Sequence, residues 1–192
     1  MRGPLVDSDR TRLADHVLGV LADGGATAYF GEPVTQLEHA LQTAALAERA
    51  SASDALVVAA LLHDIGHLLA AATGSPLPAG VSSPHEEVGD LWLSNHFGPA
   101  VTEPIRLHVA AKRYLCAVEP GYSDALSAAS QESLLIQGGP MTASEVTAFS
   151  TMPWATEAAA LRRWDDLAKA QGLDVPGLSH YRSRVERLVE TP

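Results

Sequence analysis

The segment LLHDIGHLL, residues 61–69, carries the strongest structural signal in this chain. It places His63, Asp64 and His67 inside an otherwise apolar run. Histidine and aspartate are costly to bury unless they are paired or bound to a metal. A lone histidine in such a run is more often a satisfied core residue, but three such groups within five residues favour a metal cluster. We therefore treat these side chains as candidate ligands or catalytic groups.

Helical spacing indicates how these side chains are presented. His63 and His67 are four residues apart and share one helix face. Asp64 lies about 100° around the helix from His63, yet it can reach an adjacent metal, and its two oxygens can bridge two cations. Further candidate ligands are spread along the chain: His39, His85, His108 and Asp165. Imidazole and carboxylate suit iron, zinc or manganese, so the metal stays open at this point.

Composition and charge exclude several classes of protein. At 192 residues with 46% hydrophobic residues, one globular domain over 1–192 is expected. The net charge of −10 argues against a nucleic-acid partner. No apolar stretch reaches the roughly 18–20 residues of a membrane span, and the N-terminus lacks the apolar centre of a signal peptide. We expect a cytoplasmic protein without a membrane partner. Because Cys116 is the only cysteine, a zinc-finger site is excluded.

Periodicity and capping signals predict a helical protein. Alanine and leucine dominate, aromatic residues are few and β-branched runs are short. The predicted helices cover about residues 9–22, 35–49, 54–70, 85–96, 100–115, 122–136, 142–149, 153–171 and 177–190. Loops are expected at 26–34 and 73–84. Helix 54–70 is apolar almost all round and is therefore expected to be central and buried. We predict a single all-α domain, a helical bundle with a central buried metal site.

The order of His39, the pair His63-Asp64 and a late aspartate resembles the HD-domain superfamily, which is named for that pair. Most members hydrolyse phosphate esters, especially those of nucleotides. Six stretches narrow the resemblance: YFGEPVTQLEHALQTAALAE (29–48), LLHDIGHLL (61–69), HEEVG (85–89), LHVAAKRYL (107–115), SAASQESLLIQGGPM (127–141) and LRRWDDLAK (161–169). Together they are similar to the HD-domain mixed-valent diiron oxygenases, which cleave the carbon–phosphorus bond of hydroxylated aminophosphonates. The resemblance covers roughly residues 26–170.

The resemblance implies a cofactor and its ligands. The cofactor would be two iron ions in a mixed-valent Fe(II)/Fe(III) state, with O2 as co-substrate. The ligands implied for one iron are His39, His63, Asp165 and the bridging Asp64. The ligands implied for the other iron are Asp64, His85 and His108. Motif alignment favours Asp165 over Asp166, and spacing alone leaves the two open.

The resemblance also implies a substrate site. Its catalytic residues would be His63, Asp64, His67 and Tyr29. Its substrate-binding residues would be Tyr29, Glu32, His67, Lys112, Ser130, Ser133 and Arg162. Tyr29 would hold an open position on the second iron until substrate arrives, and Glu32 would approach the substrate amine. The family often has threonine where Ser133 stands.

The pattern of charge agrees with an anionic substrate. A phosphonate carries up to two negative charges, so an acidic protein needs local positive charge to bind it. Lys112 follows His108 by four residues, which places both on one helix face. Arg162 precedes Asp165 by three residues, again one helical turn. Lys112 taken alone is equally consistent with a solvated surface lysine.

The expected activity is oxidative cleavage of a 1-hydroxy-2-aminoethylphosphonate-type substrate, which releases phosphate and a glycine-type carboxylic acid. Three alternatives stay open: an HD phosphohydrolase of a small phosphate ester or nucleotide, a regulatory domain with degenerate chemistry, and a related oxygenase with a non-phosphonate substrate. The loop with Tyr29 and Glu32, together with Lys112, Ser130 and Arg162, favours the phosphonate oxygenase over the hydrolase. The sequence leaves the oligomeric state open, and also whether the substrate amine is free or trimethylated.

Overall fold

The computed structural model describes residues 7–72 and 84–190. These residues form eleven α-helices and no β-strand, which confirms the predicted all-α class. The helices are α1 (Asp7–Gly24), α2 (Gln36–Arg49), α3 (Asp54–Leu62), α4 (Ile65–Ala72), α5 (His85–Leu93), α6 (Pro99–Val118), α7 (Tyr122–Ala125), α8 (Ala128–Ile136), α9 (Ala143–Ser150), α10 (Ala155–Leu167) and α11 (Leu178–Leu188). Nearly all of the predicted loop 73–84 lies outside the described residues.

The segment that carries His63 and Asp64 is a junction between two helices. The predicted helix 54–70 was wrong in one respect: it is divided into α3 and α4, with a bend of 41° between them. At the junction the amide of His67 donates to the carbonyl of Asp64 at 3.0 Å, a bond that spans three residues. This is the tighter 3₁₀ pattern. In the described part of the chain, no single helix is long and apolar enough to cross a membrane, although this bent pair meets the length and composition test together.

Helix α3 lies at the centre of the core. Every residue from Leu56 to Leu62 is buried, as expected for a helix that is apolar on all sides. The helix packs against α2, α6, α10 and α11. Because full burial of one leucine side chain contributes roughly 1.5–3 kcal/mol, this packing firmly positions the polar residues that follow α3.

Helices α4 and α5 meet at Gly66. A Cβ atom added there would lie 2.0 Å from the carbonyl oxygen of His85 and 2.8 Å from its carbonyl carbon. Only glycine allows this approach, because backbone atoms cannot rotate away as a side chain can. The close contact brings His85, the first residue of α5, to the junction that carries Asp64.

Two other predicted helices differ most from the observed ones, and the remaining predicted bounds differ by at most three residues. The predicted helix 122–136 is divided into α7 and α8, because the Ser127 side chain caps α8 by accepting from the amide of Ser130. The predicted helix 153–171 is shorter, since α10 begins two residues later and ends before Ala168. The carbonyl of Ala168 accepts a hydrogen bond from a histidine ring in α2 at 2.9 Å. The Ser127 cap therefore determines where α8 begins, and the contact of Ala168 with α2 accompanies the end of α10.

The loop before α2 is held by its own backbone. The amide of Tyr29 donates to the carbonyl of Val34 at 3.0 Å, and the amide of Glu32 donates to the carbonyl of Tyr29 at 2.7 Å. Helix α2 then begins with a capping box in which the side chains of Thr35 and Glu38 each accept from the other residue's amide. Tyr29 and Glu32 are thus presented from a defined backbone turn.

Candidate active site

Two clusters of histidine and aspartate side chains lie where the helices converge. The first cluster joins His39 of α2, His63 after α3 and Asp165 of α10. Nε2 of His39 is 3.1 Å from Nε2 of His63 and 3.3 Å from Oδ1 of Asp165. All three residues are buried. Elements far apart in sequence therefore meet at one point, where their nitrogen and oxygen atoms can hold one metal ion.

The second cluster surrounds Oδ1 of Asp64. Nε2 of His85 lies 3.4 Å from this oxygen, and Nε2 of His108 lies 3.6 Å from it. The two Nε2 atoms are 3.1 Å apart. The ring of His67 stacks on that of His85 with centroids 4.0 Å apart, and a ring nitrogen of His67 is close enough to act as a ligand. This cluster therefore contains the predicted ligands of the second ion, and His67 beside them.

Asp64 lies between the two clusters. Its Oδ1 faces His85 and His108, as described, and its Oδ2 is 3.7 Å from Nε2 of His39 and 3.5 Å from Nε2 of His63. One oxygen is thus directed to each cluster, the arrangement that a carboxylate needs to bridge two cations. The junction between α3 and α4 makes this possible, because Asp64 is not part of either helix.

The hydrogen bonds of the histidines indicate that metal ions fit here. Nδ1 of His39, His63 and His108 lies 2.9, 2.9 and 2.6 Å from the carbonyl oxygens of Ala168, Ala60 and Ile105, respectively. Because a carbonyl only accepts, each Nδ1 carries a proton and each Nε2 is directed into a cluster. The Nε2 atoms of His39 and His63 are 3.1 Å apart, so either a proton or a metal ion must lie between them.

Unpartnered oxygens lead to the same conclusion. Oδ2 of Asp64 and Oδ1 of Asp165 are buried and have no hydrogen-bond partner. A buried carboxylate oxygen without a partner is costly, and a bound cation removes that cost. The residues present therefore fit two metal ions with nitrogen and oxygen ligands.

The pKa shifts favour metal-binding protonation states at most of these residues. Burial lowers the pKa of His63 and that of His108, which keeps both rings neutral. Burial raises the pKa of Asp64, but the surrounding imidazoles, led by His63, bring it well below its ordinary value. His39 differs, because burial lowers its pKa while the nearby carboxylates of Asp165 and Asp64 produce a net upward shift. A metal ion would displace that proton on binding.

A cavity of about 410 Å³ opens beside the second cluster. All of the predicted substrate-binding residues line it: Tyr29, Glu32, His67, Lys112, Ser130, Ser133 and Arg162. Asp64, His85, His108 and Asp165 also contribute to its wall. A small molecule in this cavity would therefore meet the second cluster and the bridging aspartate first.

Tyr29 covers the clusters from the loop side. Its ring stacks on His39 with centroids 4.0 Å apart, and its hydroxyl interacts electrostatically with Asp64. Burial and the charge of Asp64 raise the pKa of Tyr29 well above its ordinary value, so the hydroxyl stays protonated. The neighbouring Phe30 packs against the ring of His67 with centroids 4.5 Å apart. The loop thus closes one side of the cavity.

Two buried cations lie in the cavity wall. Lys112 is 2% exposed, and its Nζ donates to Oγ of Ser133 at 2.7 Å. Burial lowers the pKa of Lys112 to about 8. Arg162 is 5% exposed, and its Nη1 lies 2.8 Å from Oδ2 of Asp165. Neither residue is a solvated surface cation, so both can serve an anionic ligand.

The adjacent aspartates of α10 have different partners. Asp165 faces the histidines of the first cluster. Asp166 instead accepts from Nε of Arg162 at 2.9 Å and from the hydroxyl of Tyr122. The structure therefore places Asp165 among the metal-ligand candidates and Asp166 behind the arginine.

Sequence reasoning missed Lys169, which also lines the cavity. Its Nζ lies 3.0 Å from Oε1 of Glu32 and donates to the hydroxyls of Ser127 at 3.1 Å and Ser130 at 2.9 Å. Lys169 belongs to the quoted stretch LRRWDDLAK and follows Asp165 by four residues. Its place in that stretch, close to a candidate ligand, is the signal that points to it.

Comparison with known proteins agrees with this geometry. The HD domain family model matches residues 37–168 of the chain. Over 163 residues, 84% of this chain and 81% of the relative, the chain is 49% identical to a hydroxymethylphosphonate dioxygenase of Gimesia maris. Over 182 residues, 95% of this chain and 93% of the relative, it is 38% identical to a 1-hydroxy-2-(trimethylamino)ethylphosphonate dioxygenase (glycine-betaine-forming) of Leisingera caerulea.

These findings distinguish between the predicted classes of enzyme. The matched region contains both clusters, from His39 to Asp165. Both relatives are named as dioxygenases of hydroxyphosphonates, and neither is named as a phosphohydrolase. The protein is therefore a metal-dependent oxygenase, as predicted. The chain belongs to the HD-domain family and, within it, to the HD-domain phosphonate dioxygenases.

Proposed function

We propose that this protein is a diiron oxygenase that uses O2 to cleave the carbon–phosphorus bond of a small 1-hydroxyphosphonate. The observation that supports this most directly is Asp64, which directs one oxygen to each histidine cluster beside a cation-lined cavity. One hydroxyphosphonate and one O2 yield one carboxylic acid and one phosphate, and all atoms balance. The substrate supplies all four electrons that reduce O2, so the reaction needs no external reductant.

The chain offers a ligand set for each of two ions. One ion would be held by His39, His63 and Asp165, the other by His85 and His108, and both by Asp64. When bound, a pair of iron ions supplies Lewis acidity, a template for substrate and O2, and one-electron redox chemistry. The ligand types alone also suit zinc and manganese. Reduction of O2 favours iron over zinc, because zinc is not redox-active.

The cationic wall of the cavity would bind the phosphonate. Lys112 and Arg162 supply positive charge, and the hydroxyls of Ser130 and Ser133 together with His67 supply further polar contacts. Charge-assisted hydrogen bonds are roughly twice as strong as neutral ones, so these two cations would dominate binding. Arg162 is already held by two carboxylates, so the site needs little rearrangement to orient the phosphonate.

Tyr29 would control access to Asp64. Its ring stacks on His39 and its hydroxyl interacts with Asp64, so the hydroxyl of a substrate would reach Asp64 only after the loop shifts. With the loop closed, the aromatic rings of Tyr29 and Phe30 exclude water from the clusters.

The substituent on the hydroxylated carbon decides which acid is formed. An aminomethyl substituent, as expected from the resemblance, yields glycine, and its trimethylated form yields glycine betaine. A hydrogen in that place, as in hydroxymethylphosphonate, yields formic acid. The two named relatives differ in this substituent, whereas the phosphonate and the hydroxyl are common to both.

The experiment that tests this proposal is phosphate release measured with and without oxygen. Purified protein would be loaded with Fe(II) and given hydroxymethylphosphonate or 2-amino-1-hydroxyethylphosphonate. We expect phosphate to appear together with uptake of one O2 per molecule cleaved, and to stop in anaerobic buffer. Release that continues at the same rate without oxygen would replace the oxygenase with a hydrolase.

A further inference from the structure

The carboxylates of the cavity limit which cationic substrates can bind. Four carboxylate side chains line the cavity: Glu32, Asp64, Glu132 and Asp165. Asp64 and Asp165 belong to the metal-ligand clusters, and Glu132 is exposed to solvent. Among the described residues of the wall, Glu32 is therefore the one sheltered carboxylate that could pair with an ammonium group of a substrate.

The Glu32 carboxylate is already paired with the ammonium group of Lys169. Its ammonium nitrogen lies 3.0 Å from Oε1 of Glu32, and the hydroxyl of Ser127 donates to the same oxygen. The side chains of Lys169 and Glu32 are only 12% and 10% exposed. Burial raises the pKa of Glu32, but the hydrogen bonds from Ser127 and Lys169 more than reverse this, so the carboxylate stays charged.

The position of Lys169 is fixed by further contacts. Its Nζ donates to the hydroxyls of Ser127 and Ser130, which are the N-cap and the third residue of α8. Three acceptors thus surround one ammonium group. One of them lies in the loop before α2, and the other two lie at the start of α8. Displacing Lys169 from Glu32 would break this network. The pair is therefore a preformed part of the wall.

We propose, on the basis of the proposed function, that Lys169 is a specificity-determining residue that selects hydroxyphosphonates without a cationic amine. A substrate ammonium beside Glu32 would lie close to the Lys169 ammonium in a site sheltered from water, where like charges repel strongly. A substrate with only a hydrogen on the hydroxylated carbon avoids this repulsion. Lys169 also adds a third positive charge to Lys112 and Arg162, which favours a dianion.

The test compares kcat/KM for hydroxymethylphosphonate and 2-amino-1-hydroxyethylphosphonate in the Fe(II)-loaded full chain. We expect the unsubstituted protein to prefer hydroxymethylphosphonate by at least about tenfold, the effect of one unfavourable charge contact. Lys169→Met, which keeps the length of the side chain and removes its charge, is expected to shift the preference towards the aminated substrate by about tenfold or more. Lys169→Arg, the matched control, is expected to keep the original preference.

A second variant separates specificity from a structural effect of the substitution. In Lys169→Met, the gain on the aminated substrate depends on a freed Glu32 carboxylate. The double variant Lys169→Met/Glu32→Gln carries the same uncharged residue at position 169 and differs only at position 32. It is therefore expected to lose that gain. Helical content by circular dichroism and iron content would be measured for each variant.

The outcomes distinguish this proposal from the proposed function. If neither hydroxyphosphonate releases phosphate with uptake of O2, the proposed function is wrong. If both do, but the unsubstituted protein prefers the aminated substrate, the role of Lys169 is wrong and the oxygenase function stands. An unchanged preference in Lys169→Met would also overturn the role of Lys169.

Discussion

Arg162 illustrates how single residues in this site depend on one another. Its guanidinium is shared between Asp165, which faces the metal-ligand clusters, and Asp166, which lies behind it. The hydroxyl of Tyr122 donates to Asp166 as well. A planar guanidinium with its donors engaged in this way has one orientation. Asp166 is thus a positioning residue for the proposed phosphonate site, although it is not a ligand candidate.

Replacing Asp166 tests this role. In Asp166→Asn the paired charge is lost, so Arg162 is expected to turn towards Asp165 and contact the phosphonate poorly. The KM for a hydroxyphosphonate is expected to rise about tenfold, the effect of weakening one charge-assisted hydrogen bond. Iron content is expected to stay unchanged, and steady-state kinetics with metal analysis would check both. Asp174→Asn at an exposed site is the control, and equal effects in the two variants would contradict the role.

The pKa of Lys112 predicts how kcat/KM depends on pH. Burial lowers its pKa to about 8, and only the protonated ammonium attracts a phosphonate. Because the amine is protonated below its pKa, kcat/KM is expected to fall as the pH rises through about 8. In Lys112→Arg this decline is expected to disappear, since the guanidinium stays charged to a pH of about 12 or higher. An unaltered pH profile in that variant would assign the decline to another group.

At the scale of elements, the close approach of α4 and α5 positions one ligand of the second cluster. Gly66 on α4 contacts the carbonyl of His85 at the start of α5, and no side chain fits between them. Since His85 begins its helix, any displacement of α5 moves the imidazole directly. The geometry of the second cluster therefore depends on a residue that carries no side chain.

Gly66→Ala is expected to move α5 and lower stability. The free energy of unfolding is expected to fall by about 1–3 kcal/mol, the usual effect of overpacking, and iron content is expected to drop towards one ion per chain. Denaturant unfolding and metal analysis would measure these changes. Gly19→Ala in α1 is the matched control: no atom lies within 4 Å of the added Cβ, and a gain of roughly 0.5–1 kcal/mol is expected there. If Gly66→Ala behaves like Gly19→Ala, the close approach at Gly66 does not position α5.

At the scale of the whole molecule, the proposed ions would join residues from several helices at the centre of the bundle. The ligand candidates other than Asp64 come from different helices or their ends: His39, His63, His85, His108 and Asp165. Asp64, at the α3–α4 junction, contacts the four histidines. Without a cation, buried lone pairs and carboxylate oxygens stay unpartnered. Metal binding is therefore expected to stabilise the entire bundle as well as the site.

Removing the metal tests this coupling. An ion present at about 1,000 times its Kd contributes about 4 kcal/mol to the free energy of unfolding, so chelation is expected to lower the unfolding midpoint clearly. Adding Fe(II) back is expected to restore it. Asp64→Asn is the comparison protein, in which the midpoint is expected to respond weakly to chelator. A midpoint that does not change when the ions are removed would show that the bundle does not need them.

Local pattern was sufficient for the fold class and for the first candidate ligands, His63 and Asp64. Alanine-rich and leucine-rich periodicity predicted the helices, because helix formation depends on neighbours three and four residues away. The costly placement of His63 and Asp64 in an apolar run predicted metal ligation before any contact was known. Lys112 and Arg162 were implied by the resemblance, and their spacing from candidate ligands agreed with it. The ligand set was implied by the resemblance, and the structure brings those side chains together.

Contacts between distant elements determined the rest. The bend at Asp64, the separate partners of Asp165 and Asp166, and the pairing of Lys169 with Glu32 all follow from how helices pack. Sequence spacing alone does not show them, because the contacts of Asp165 with His39, of Asp166 with Tyr122 and of Lys169 with Glu32 join groups that are dozens of residues apart. Packing around the buried apolar helix α3 brings these groups together. Residue types and periodicity thus specified the chemistry available to this protein, and packing around α3 determined which group faces which.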